Sequence, residues 1–159
     1  MLSNEQKLMS FELMKSVIDK LKDAGVKAIT FTGGGEPLMH PRTIDAMYYA
    51  KQLGFEIGLF TNGSLLNEEK IKQILEIEPT FIRISINAGT PEVHRIIHGL
   101  SDSNESFEKV INNLRFFAKE KIRGGYKTDI GVGYIVNPLN ANELGILSKI
   151  LKDIYDQEP

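Results

Sequence analysis

FIRISIN, residues Phe81 to Asn87, is the stretch that decides between two architectures. Side chains alternate across a strand, so Ile82, Ile84 and Ile86 share one face while Phe81, Arg83, Ser85 and Asn87 share the other. A strand in the middle of a doubly wound sheet is covered by helices on both sides and is apolar on both. This one is apolar on one face and polar toward its C-terminal end on the other. That pattern suits a strand lining the lumen of a ligand-holding barrel. Gly131 and Gly133 on a later strand agree, because a strand face without side chains lets something flat approach the backbone.

The rest of the chain alternates helix and strand around this segment. Leu8, Phe11, Met14, Val17, Ile18 and Leu21 recur at helical spacing until Gly25. Lys27 to Thr32 reads as a short buried strand, followed by Gly33, Gly34, Gly35, Glu36 and Pro37. Pro41 can open the next helix as its first residue, with Ile44, Met47, Tyr48 and Leu53 on its inner face. Phe55 to Thr61 is the second strand, and Asn62-Gly63 turns. Asn67 can cap a third helix that ends near Pro79. After FIRISIN come a short helix, Pro91 to His98, and a longer one through Phe107, Leu114 and Phe117. Thr128 to Asn137 is the fourth strand. Asn140 and Glu143 resemble a capping box opening the last helix.

Such alternation with helix-length crossovers requires a parallel sheet with right-handed connections. The expected fold is α/β, a parallel-stranded partial (β/α) barrel forming a single domain over residues 1–159. About eight strands close a packed barrel, so four leave it open. The chain has 159 residues, 42% hydrophobic, with 19 basic against 21 acidic side chains and a net charge of −2. This near-neutral balance argues against a nucleic-acid binder or a membrane-surface binder. The N-terminus has no signal-peptide pattern and no apolar run is long enough for a membrane span, so a cytoplasmic location is expected. The absence of cysteine excludes a thiolate nucleophile and any zinc or iron–sulfur site built on the chain's own thiolates.

In open or closed barrels of this kind ligands sit at the C-terminal ends of the strands. Thr32 to Glu36, Thr61-Asn62, Ser85 to Asn87 and Asn137 all fall there and converge on one mouth. Three consecutive glycines expose backbone N–H and C=O groups to a ligand. Phosphate is a poor candidate: the loop has no Walker lysine, its spacing is not GxGxxG, and Glu36 would repel an anion. Carbonyls beside a carboxylate suit a cationic group such as an ammonium. A tight turn before a helix is the alternative reading of the same residues.

These residues carry a resemblance. TFTGGGEPLMHP (Thr30 to Pro41) resembles the Gly-Gly-Glu-Pro motif of radical S-adenosylmethionine (SAM) enzymes. LFTNGSLL (Leu59 to Leu66), IRISINAGTPEVHRIIHG (Ile82 to Gly99) and VGYIVNPLNANEL (Val132 to Leu144) resemble that family's third-, fourth- and fifth-strand motifs. The order and spacing are similar to those of the branch that includes the molybdenum-cofactor and pyrroloquinoline-quinone maturation enzymes. The resemblance implies a (β/α)6 half-barrel of which this chain supplies the second to fifth strands. It implies that Gly34, Gly35 and the Glu36 carboxylate hold the amino group of SAM, and that Ser85 meets its ribose or carboxylate end. Thr61 and Asn62 would border the cofactor or substrate, and Gly133 to Val136 would lie against adenine. His98 stands where many members carry an arginine, so a contact to the SAM carboxylate there would depend on pH.

One departure is severe. The family cleaves SAM with a 4Fe–4S cluster held by a CxxxCxxC loop, and this sequence has no cysteine. The resemblance then implies a core fragment of a radical SAM enzyme, with the cluster expected only in the full-length protein and weak SAM binding in this piece. It also implies that this chain alone makes no 5′-deoxyadenosyl radical. A non-catalytic half-barrel that binds a nucleoside-like ligand or a protein partner is the alternative. The substrate, small molecule or peptide, is not legible. Missing first and sixth strands would expose two sheet edges, so self-association is expected.

Two further features stand apart from the mouth. His94 and His98 have zinc-binding spacing, but HRIIH lacks the glutamate of HExxH, and Arg95 adds unfavourable charge; no metal is assigned. Arg83 should face the lumen, paired with a carboxylate such as Glu36 or with a ligand anion.

Overall fold

The computed structural model describes residues 8–99 and 104–157. The elements are α1 (Phe11–Asp23), β1 (Ala28–Phe31), a 3-10 turn (Pro37–Met39), α2 (Thr43–Gln52), β2 (Glu56–Thr61), α3 (Glu68–Ile77), β3 (Phe81–Ser85), α4 (Pro91–His98), α5 (Asn104–Gly124), β4 (Asp129–Gly133) and α6 (Leu144–Gln157). All neighbouring strands pair in parallel and the order is β1-β2-β3-β4. The order never reverses, as it would at the switch point of a doubly wound sheet. Among the described residues no helix is long and apolar enough to cross a membrane.

Among the described residues the sheet is covered on one side only. Ile57, Leu59, Ile82 and Ile84 are each 0% exposed and pack against Met47, Ile71, Ile74 and Phe117 from the helices. On the opposite face Thr30, Phe60 and Asp129 are exposed, and Phe81, Arg83 and Ser85 are half-buried. The alternation in FIRISIN therefore sorts as expected, with isoleucines toward the helices and Arg83 and Ser85 on the open face. Two glycines level that open face. A Cβ at Gly58 would lie 2.4 Å from Cζ of Phe81, and one at Gly131 would lie 2.9 Å from Nη1 of Arg83. Both large β3 side chains thus lie over a neighbouring strand that has no side chain beneath them. Gly131 makes room for Arg83 rather than for a ligand, which corrects the sequence reading; at Gly133 nothing comes within 4 Å of a Cβ.

Local signals place most helix ends. Asn67 caps α3 by accepting from Lys70 N at 2.8 Å, and Thr90 caps α4 by accepting from Val93 N at its side-chain oxygen. Pro41 does not open α2. The 3-10 turn takes the chain first, and Thr43 Oγ1 donates to Pro37 O at 2.6 Å, so the helix begins two residues later. Tyr48, expected on the inner face of α2, is 55% exposed, because the small residues Ala46 and Ala50 form the contact beside Met47.

The end of β4 differs most from expectation. Pairing stops at Gly133 instead of continuing to Asn137, and Asn140 with Glu143 is not a capping box. Asn140 is fully buried. Its carboxamide donates to Asn87 O and Ile135 O, both at 2.9 Å, and accepts from Asn137 N at 2.7 Å. Asn87 Oδ1 in turn accepts from Ile135 N at 2.8 Å. Side chains replace the ladder there, so strand pairing gives way to a knot that joins the ends of β3 and β4. Glu143 reaches back to accept from Gly89 N and Thr90 Oγ1 at 2.9 and 2.8 Å. The isosteric substitution Asn140→Asp points a carboxylate oxygen at two carbonyls, and Asn140→Ala leaves three groups unpaired. Each variant should lose about 2–3 kcal/mol in urea unfolding. An Asn140→Asp variant as stable as the native chain would refute the knot.

Candidate functional site

Glu36 organises the C-terminal mouth of the sheet. Its Oε1 accepts from Leu38 N at 3.0 Å and from Thr61 Oγ1 at 2.7 Å, and its Oε2 accepts from Asn62 N at 2.7 Å. One carboxylate thereby caps the 3-10 turn and ties the loop after β1 to the end of β2. Thr61 is buried, and its Oγ1 also accepts from Gly63 N at 3.1 Å. Asn62 Oδ1 accepts from the backbone and hydroxyl of Ser64 at 2.9 and 2.7 Å, an Asx turn that fixes the next loop. The Glu36 oxygens are turned toward protein donors, so most of their accepting capacity is used inside the fold.

The residues expected at the mouth are partly united. Gly33, Gly35, Glu36, Thr61, Asn62 and Ser85 line one cavity of about 170 Å³ together with Thr32, Pro37 and Phe60. Gly34 lies between its lining neighbours, where the chain bends and is exposed. The three glycines share a property that nothing inside the chain requires. None has a positive φ, and beyond its chain neighbours a Cβ at any of them would meet no atom of the described residues within 4 Å. Gly133 pairs with Ser85 in register, beside the cavity, and Val136 stands beyond it, 60% exposed. Neither of them lines it.

Two expectations resolve differently. Arg83 does not meet Glu36. Its Nη2 pairs with the Asp129 carboxylate at 2.7 Å, and its guanidinium lies 5.3 Å from the centre of the Phe81 ring. The side chain runs sideways over Gly131, away from the mouth. His98 lines a second cavity of about 260 Å³ with Asn62, Ser64, His94, Ser106 and Val110, so only Asn62 borders both. The sequence reading also misses Phe60, which it leaves as one more residue of the second strand. Its position on the same strand face as Gly58 is the available signal.

His94 and His98 lie one turn apart with ring centroids 4.4 Å apart, and Phe107 meets His94 at a 60° tilt with centroids 5.5 Å apart. His94 Nε2 is 3.3 Å from Ser106 Oγ, and its buried Nδ1 has no partner. Burial first, and the neighbouring His98 second, push the His94 imidazole down to about 4; burial also lowers His98. Below its ordinary value of 6.5 the unfolded chain binds a proton that folded His94 refuses. Stability is therefore full above that value and falls as the pH drops toward 4. Denaturant unfolding should show a loss of roughly 1 kcal/mol by about pH 5, after allowance for solvent screening. His94→Gln should flatten the slope, and an unchanged slope in that variant would refute the assignment.

Comparison with known proteins places this geometry. The profile described as the Radical SAM superfamily matches residues 2–141. The tungsten-containing aldehyde ferredoxin oxidoreductase cofactor-modifying protein of Pyrococcus furiosus is 28% identical over 152 residues, covering 95% of this chain and 42% of that one. The Fe-coproporphyrin III synthase of Methanosarcina barkeri is 25% identical over 91% of this chain and 34% of its own length. The chain thus spans less than half the length of the curated relatives it matches first. Among solved structures, TYW1 with a lysine-pyruvate adduct bound superposes with a TM-score of 0.60 at 19% identity, over 90% of this chain and 48% of that one. A domain of the pyruvate-formate lyase-activating enzyme from Bacteroides vulgatus gives 0.58 at 20% identity, over 79% and 71%. These likenesses establish the fold, a radical-SAM-type partial barrel, and the profile match over most of its residues makes this chain a member of the radical SAM superfamily.

Proposed function

We propose that this chain is the SAM-holding part of a radical SAM enzyme, with the exposed backbone of Gly34 and Gly35 receiving the amino group of SAM. One observation carries the reading. Among the described residues neither backbone strain nor packing accounts for three successive glycines, whereas close approach of a ligand does. Glu36 acts chiefly from behind: it fixes the loop through Leu38, Thr61 and Asn62 and keeps the mouth negative. Ser85 makes no side-chain hydrogen bond among the described residues and faces the same cavity, so its hydroxyl is available to the ribose or carboxylate end. Gly133 lies next to Ser85, and the exposed Ile135 and Val136 supply an apolar edge for adenine.

The iron–sulfur cluster that the superfamily uses does not fit this chain's donor set. A thiolate-held cluster needs cysteines and the sequence contains none, so no step is assigned to it here. Reductive cleavage of SAM and hydrogen-atom abstraction would belong to an assembly that includes a cluster-bearing segment. The cysteine count equally favours a second reading, a half-barrel that binds SAM or a related nucleoside without radical chemistry. The relatives that modify cofactors or porphyrins support the first.

Glu36→Ala would disturb the fold and the site together, so the glycines give the cleaner test. Gly34→Ala/Gly35→Ala should melt at the native temperature or slightly above, because alanine restricts the unfolded chain. The same variant should lose most of the SAM affinity seen by calorimetry with the native chain. Native heats in the variant, or no SAM binding by the native chain, would refute the reading. Among the described residues the outer edges of β1 and β4 have no strand partner, which supports self-association. Sedimentation should reveal species larger than the monomer at tens of micromolar, on the edge argument, and a clean monomer would refute it.

A further inference from the structure

The open face of the sheet carries a cation that the mouth does not use. Arg83 lies flat across β4, and its two terminal nitrogens are engaged. Nη1 donates to Ile82 O at 3.1 Å and to Asp129 O at 3.3 Å, and Nη2 donates to Asp129 Oδ2 at 2.7 Å. A guanidinium has five N–H groups. Asp129 takes the end of the plane through both terminal nitrogens, so among the described residues Nε–H and one Nη2 hydrogen have no acceptor. That side edge is the geometry that grips a two-oxygen anion. The guanidinium lies in the space that Gly131 leaves and is held by its bonds to Ile82 and Asp129 and by the Phe81 ring, so little of its freedom remains to be lost on binding. Its side chain is 33% exposed, within reach of a ligand.

We propose that Arg83 anchors the carboxylate of a small monocarboxylic substrate on the concave face, with the apolar body of that substrate lying along Phe60 and Phe81. This rests on the reading of the mouth as the SAM site. Three features narrow the chemistry. Phe60 is 41% exposed and meets Phe81 edge-on at 5.7 Å, which supplies an apolar wall beside the cation. Phe60 also lines the mouth cavity, so the wall leads into it. The Asp129 carboxylate beside the anchor repels a dianion such as phosphate more than a monoanion. Ser85 follows Arg83 on the same strand face, about 6.6 Å further along. The guanidinium turns back to Asp129, in register with Phe81, so a substrate held there would reach the SAM pocket by running over Phe81 and then Phe60, which meets that ring and lines the pocket.

Benzoate is the probe, with benzyl alcohol and inorganic phosphate as controls, read by NMR on the full chain. Benzoate should shift the Arg83 Nε–H signal and the ring signals of Phe60 and Phe81. Arg83→Met should weaken its binding roughly tenfold or more, the share of a charge-assisted hydrogen bond pair. Arg83→Lys should recover part of it. Asp129→Asn removes the competing charge and should tighten binding, the opposite of what loss of a merely structural ion pair would do. Equal binding of benzyl alcohol, preference for phosphate, or undiminished benzoate binding in Arg83→Met would each overturn the proposal. SAM titrated alone into the native chain reads the mouth separately, so a failure there leaves the result at Arg83 standing.

Discussion

A single buttressing carboxylate holds the working end of this molecule together. Glu36 follows a loop with no side chains of its own and precedes a turn whose first backbone donors need an acceptor. It meets both needs by binding Leu38 N on its own segment and Thr61 Oγ1 and Asn62 N on the next strand. A glycine run is the most flexible kind of backbone, and its ordering is costly. Anchoring its C-terminal end to the end of β2 limits that cost and sets the loop's height above the sheet. The cavity between the loop and Ser85 exists because of this tie.

One-sided burial follows from the same sequence economy. Isoleucines and leucines at every second position of β2 and β3 drive the helices onto one face, and among the described residues no helix covers the other. What remains on the open face is spaced by glycines and closed by an ion pair. The mouth and the open face are continuous through Phe60, so the ligand-holding rim and the floor beneath it form one surface.

The elements and the rim were legible because their signals are local. Period-two alternation in FIRISIN, helical spacing with caps at Asn67, and the glycine run followed by Glu36 each sit within a few residues. What escaped is made of partners far apart in the chain. Glu36 finds Thr61 across 25 residues, Arg83 finds Asp129 across 46, and Asn140 finds Asn87 across 53. A charge beside a glycine loop reads as a ligand contact until a nearer donor is known, and no spacing rule reveals that donor. Asn140 and Glu143 resemble a capping box for the same reason: the pattern is right, but the side chains have stronger partners across the gap between two strands.

The two glycines that sit beneath β3's large side chains have a consequence for how this surface can change over time. Phe81 depends on residue 58 having no side chain, and Arg83 depends on the same at residue 131. A change of shape at one of these sites therefore shifts the side chain on the neighbouring strand. Enlarging either glycine would evict the ring or the guanidinium lying over it, and shrinking Phe81 or Arg83 would leave a trough one strand away. Related chains with a different cargo should differ here by compensated doublets, bulk moving from one strand to its neighbour, while the helix-facing isoleucines stay as they are.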